Sequence, residues 1–139
     1  MRIFKRFTQL ILTVTTLLGI FASSTAFAVT AGRLDAQPVL GEELNGTFQL
    51  SGVGALVQEQ IIVSLADNEV YEQMGLQRPD SSLGIRFNVG EVDEERDVSV
   101  IKVSSQEPVT EPSLSLVIRI SWPQGTIIKS YTLLLDLPS

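Results

Sequence analysis

The chain has 139 residues, 16 acidic against 10 basic for a net charge of −6, 44% hydrophobic residues, and neither cysteine nor histidine. No disulfide framework, thiolate nucleophile, lipid-modified cysteine or zinc–thiolate site can be built from it, nor a Ser/His/Asp triad or an imidazole ligand. The length fits one small domain, and an enzyme of this composition would have to work with carboxylates, lysines or hydroxyls.

Residues 1–28 read as an export leader. Arg2, Lys5 and Arg6 give a positive start, Leu10 to Ala22 is an apolar run, and Ala26-Phe27-Ala28 offers a small-x-small cleavage pattern, so the mature domain is expected to be 29–139, beginning at Val29. The apolar run is short for a membrane span and ends in Ser23, Ser24 and Thr25 rather than in a basic cluster, which favours a cleaved leader over an uncleaved anchor. Cleavage would leave seven basic residues against all sixteen acids, a net charge of −9. Nucleic acid and membrane insertion are therefore not expected of the mature domain.

Along the mature chain, period-two alternation dominates. Leu44, Gly46, Phe48 and Leu50 form one inward set, broken by Ser51-Gly52-Val53-Gly54; Ile61, Val63 and Leu65 form the next. A short helix follows, with Asp67 or Asn68 as its cap, Val70 and Met74 sharing a face, Gly75 as its left-handed stop, and Arg78-Pro79-Asp80 ending any continuation. Ile85, Phe87 and Val89 make a third inward set. After the acidic turn Gly90 to Arg96 come Ile101 and Val103, in a strand expected to end at Ser105. The clearest alternation is Leu114, Leu116, Ile118, Ile120 and Trp122, with Ser115, Arg119 and Ser121 opposite. Pro123-Gln124-Gly125 reads as a hairpin turn into a last strand over Ile127 to Leu135. The pattern predicts a mainly all-β fold: an immunoglobulin-like antiparallel β-sandwich of roughly six to eight strands with one short helix.

The C-terminal half carries a resemblance. Glu107-Pro108, Glu111-Pro112, Trp122-Pro123-Gln124-Gly125, Tyr131-Thr132 and Leu134-Leu135-Asp136 resemble, in order and spacing, the N-terminal periplasmic domain of the FimV family. The likeness continues upstream through Leu40-Gly41-Glu42, Leu44, the Ile61 to Ala66 strand, Gly75-Leu76, Arg78-Pro79 and Arg86-Phe87. Three places depart from the pattern: Glu43 where a proline is usual, Ser113 for an aromatic, and Ile127-Ile128-Lys129-Ser130 for a leucine-leucine-arginine-glutamate run. Members of this family are type IV pilus assembly and polar landmark proteins of Gram-negative bacteria. The resemblance implies a periplasmic address and a role in pilus or cell-envelope assembly, with an envelope or pilus-assembly protein as partner and peptidoglycan reached indirectly. The peptidoglycan-binding LysM module, membrane helix and cytoplasmic part typical of the family lie outside this sequence, and their activities are not carried over.

Candidate sites divide as follows. Glu107 and Glu111 could pair as catalytic carboxylates, but the adjacent Pro108 and Pro112 make the segment extended, and a stiff connection offering carboxylates to a partner is the reading retained. The family-motif residues Trp122, Pro123, Gly125, Tyr131 and Asp136 are expected to be structural, Trp122 in the core and Tyr131 as a buried ring whose hydroxyl closes a corner. The Glu91, Asp93, Glu94, Glu95 and Asp97 cluster carries calcium-type oxygen ligands without the Asp-x-Asp-x-Asp-Gly order and reads as a solvated hairpin tip. Asn45-Gly46-Thr47 matches a glycosylation acceptor by chance at a strand start. No cofactor, metal or catalysis is expected. The function classes carried forward are a non-enzymatic interaction module and, as the alternative, a glycan- or peptidoglycan-binding sandwich.

Overall fold

A computed structural model describes residues 28–138. The leader expected over 1–28 lies outside them except for Ala28. Two antiparallel sheets pack face to face. One is built on β3 (Glu43–Ser51), which pairs with β6 (Val98–Pro108); β6 in turn pairs with β5 (Arg86–Val89). On the other side of β3, β1 (Thr30–Ala31) and β2 (Asp35–Ala36) together form one broken edge strand. The second sheet has the order β4 (Ile62–Leu65), β7 (Ser113–Trp122), β8 (Gly125–Leu134).

The strands form where one face is apolar. Leu44, Phe48 and Leu50 on β3, Ile101 and Val103 on β6, and Leu114, Leu116, Ile118 and Ile120 on β7 are buried between the sheets, as their parity predicts. Val63, Leu65, Ile85, Phe87 and Val89 point the same way but are only partly buried, because β4 and β5 lie at sheet edges. Phe48 and Tyr131 span the two layers, ring centroids 5.6 Å apart, and the Tyr131 hydroxyl donates to the Gly32 carbonyl at 2.6 Å. The half-buried Tyr131 thus closes a corner between β8 and the β1–β2 link.

The helix α1 (Asn68–Met74) has Asp67 as its cap, the carboxylate accepting from Val70 N at 3.2 Å, and Gly75 as its stop with φ 68°. Its packing face differs from the expected one. Val70 is half-buried and Met74 exposed, whereas Tyr71 is buried. Tyr71 covers Val117 on the outer face of the second sheet and, with Ala66, makes a small satellite core. Its hydroxyl accepts from Val117 N at 2.8 Å and donates to the Ser115 carbonyl at 3.0 Å. β4 ends at Leu65, and one side-chain oxygen continues the pairing of β7 where the strand has left off.

Two strand ends also differ. β6 runs to Pro108 instead of Ser105, because a register shift opposite Glu43 and Asn45 lets it continue past the Ser105 side chain, which accepts from Leu44 N and donates to the Glu107 carbonyl. β8 begins at Gly125, paired directly with Trp122 across the Pro123-Gln124 turn, and ends at Leu134.

Candidate functional site

Three surfaces bear on function. The first is the Glu107–Pro112 segment, which carries the chain from β6 in one sheet to β7 in the other. Glu107, Pro108, Glu111 and Pro112 are all exposed, but Val109 between them is buried. Val109 N donates to the Glu42 carbonyl at 3.0 Å, the Val109 carbonyl accepts from Gly41 N at 2.8 Å, and the Pro112 carbonyl accepts from Leu135 N at 2.9 Å. The backbone is therefore stapled to the core and to both neighbouring segments, and only the side chains are on offer. Glu107 belongs to β6 rather than to a free connection.

The second surface surrounds Trp122. The indole is half-buried, not in the core as expected: its parity is inward, yet it stands at the very end of β7 where the second sheet runs out over an opening. That opening is a cavity of about 260 Å³ lined by Val29, Gly52, Ala55, Leu56, Trp122 and Gln124. Gly125 lies beneath the ring; a Cβ there would meet the indole Cζ2 at 3.2 Å, so the glycine lets the ring lie over the backbone. Pro123 is exposed at the turn. At the far end of the hairpin Asp136 is exposed, and what it contributes structurally is its backbone: Asp136 N donates to the Pro38 carbonyl and the Asp136 carbonyl accepts from Leu40 N, both at 2.9 Å. We expect Trp122→Ala to cost about 1–3 kcal/mol in a urea unfolding titration, less than loss of a fully buried aromatic, because part of the ring faces water in the folded state.

The third surface is the acidic turn before β6. Two of its carboxylates, those of Asp97 and Asp93, are used locally. Asp97, the one non-glycine residue at positive φ among those described (63°), accepts from Gly54 N, and its carbonyl accepts from Gly52 N at 3.0 Å. Asp93 accepts from Arg96 N at 3.1 Å and lies 3.9 Å from the same residue's guanidinium. Among the described residues no three acidic groups converge as metal ligands would.

Sequence reasoning missed Tyr71 and Val117. Tyr71 stands between Val70 and Glu72 on a short helix, and nothing in the local pattern pairs it with a strand more than forty residues away.

The FimV N-terminal domain Ig-like domain family matches residues 29–138, the whole of the two-sheet body. The motility hub protein FimV of two strains of Pseudomonas aeruginosa is 30% identical over 119 residues, which is 86% of this chain and 13% of each relative. The chain thus spans about an eighth of the length of these relatives. No solved structure matches it. Together, the match across 29–138 and the sandwich with its short outer helix show that the chain belongs to the FimV N-terminal Ig-like domain family.

Proposed function

We propose that this chain is a non-catalytic interaction module of the periplasm, exported by its leader and serving type IV pilus or cell-envelope assembly by docking onto an assembly protein. The observation that carries the reading is the family match across the entire two-sheet body, to a family of Ig-like domains rather than of enzymes. The name of the Pseudomonas relatives, motility hub protein, fits a domain that holds other proteins together. The exposed carboxylates of Glu107 and Glu111, on a backbone already fixed by Val109, supply a surface that loses little entropy on binding. A glycan-binding role would draw on Trp122. Among the described residues, however, its cavity adds only the Gln124 amide to the indole N–H as polar side-chain groups, where a sugar needs several converging hydrogen-bonding groups.

The test is photo-crosslinking in the periplasm with the Glu107→Ala/Glu111→Ala double variant. The variant should keep the parent's thermal midpoint, since both side chains are exposed, and lose crosslinks to pilus-assembly or wall-bound proteins. Retention of every crosslink overturns this choice of surface. Turnover of peptidoglycan fragments by the purified protein overturns the non-catalytic reading.

A further inference from the structure

On one side of the sandwich two sheet edges approach each other without pairing. β4 is an edge of the second sheet and β5 an edge of the first, and among the described residues no backbone hydrogen bond joins them. Antiparallel pairing makes alternate residues point their backbone groups away from the partner strand. Gly84 and Gly90, which flank β5, exchange hydrogen bonds with Gln106 and Val100, so Arg86 and Asn88 share that register and bond to β6, while the backbone N–H and carbonyl groups of Phe87 and Val89 point away from β6 even though their side chains face the core. The Val89 carbonyl confirms the direction, since it is taken by the Gln58 side chain at 2.6 Å. Next to β4, Ala66 N donates to Val117, so the backbone groups of Val63 and Leu65 likewise point away from β7.

Between these edges lies a groove of about 380 Å³. Its floor is the half-buried Val63, Leu65, Ile85 and Phe87, and its walls carry Arg78 and Arg86. Neither arginine has a carboxylate partner: among the described residues the ion pairs are those of Arg96 with Asp93 and Arg119 with Asp67. Arg78 donates from Nε to the Ala66 carbonyl at 3.0 Å, while Arg86 is exposed and shares the outer face of the sheet with Asn88 and, across from Asn88, the exposed Lys102. Of the five basic residues beyond the leader that make no ion pair among the described residues, three, Arg78, Arg86 and Lys102, lie beside this edge.

We propose that this groove receives an extended, acidic segment of a partner protein, added as a strand along the free edge of β5. The inference rests on the interaction-module reading and gives its partner a chemistry. The Phe87 N–H and carbonyl supply main-chain hydrogen bonds, one row of guest side chains covers the apolar floor, and the alternate row places carboxylates beside Arg86, with the Lys102 charge one strand further in. Charge selects the guest: a basic strand would meet the same hydrogen-bonding edge and be repelled by the arginines.

The experiment titrates the purified protein with two synthetic peptides, one alternating glutamate and valine, the other lysine and valine, following amide exchange and affinity. The glutamate peptide should bind, slow exchange at the Phe87 amide, and weaken as salt rises. Arg86→Glu, at an exposed side chain with no hydrogen bond to lose, should weaken it about tenfold without changing the thermal midpoint. Equal binding of the lysine peptide, or binding that leaves the Phe87 amide unprotected, overturns the proposal. Since crosslinks in the periplasm report on the module and the titration on the groove alone, the two readings fail separately.

Discussion

Tyr71→Phe is expected to destabilise the domain by about 1–3 kcal/mol, although it removes one oxygen and leaves the ring in place. That oxygen partners two backbone groups of β7, the Val117 N–H and the Ser115 carbonyl, and its removal takes that partner from both beneath the buried ring. Tyr71→Ala should cost more, about 3–5 kcal/mol, because the satellite core of Ala66 and Val117 then loses its cover. Urea titrations of both variants check the order; a Phe variant as stable as the parent would mean that the hydroxyl is dispensable.

The same residue gives the stability a pH dependence. Burial raises the Tyr71 phenol above its ordinary 10.0, against smaller opposing effects of the Val117 hydrogen bond and the Arg78 charge. Burial also raises Tyr131. A phenol that holds its proton more tightly in the folded than in the unfolded chain adds stability that is intact below the unfolded value and lost as pH rises through the folded one. Urea midpoints should therefore fall above about pH 10, and less steeply in Tyr71→Phe.

Phe48→Ala is the second large effect, about 3–5 kcal/mol in the same titration. Phe48 is 2% exposed at the middle of β3, opposite Ile101, and meets Tyr131 from the facing sheet. Its removal opens a void between the layers and takes away the ring against which Tyr131 rests while reaching Gly32. An increase in amide exchange along β8 should accompany the loss; a loss confined to β3 would show that the two rings do not depend on each other.

The inward parity of Leu44, Phe48, Leu50, Ile101, Val103 and the β7 set was legible in the sequence because each strand buries one face, and a period of two records that directly. Asp67 and Gly75 were legible for a similar reason, since capping is settled within a few residues. Val117 was not: among Ser115, Arg119 and Ser121 it looks like an outer-face residue, and it is one, covered by a helix whose docking position no local pattern specifies. Trp122 shows a further limit. Parity gives the face of a strand but not whether the opposite layer extends as far as its last residue. The groove beside Arg86 was illegible for the strongest reason, since strand edges exist only once the order of strands is known. Of the candidate partner surface, the sequence identified the exposed carboxylates but not the buried Val109 that fixes them.

Val29, the first residue of the expected mature chain, is itself part of the core, and the Ala28 carbonyl crosses directly over Gly52, where φ is 83° and any side chain would collide with it. A peptidase cutting between Ala28 and Val29 needs that backbone extended and accessible. Under the export reading proposed above, seating of the first strand and removal of the leader would be competing events, because a chain that folds first buries Val29 on one side of the scissile bond. Any substitution that hastens docking of this N-terminal segment should slow leader removal, and one at Gly52 that keeps the segment undocked should leave processing fast while weakening the finished fold.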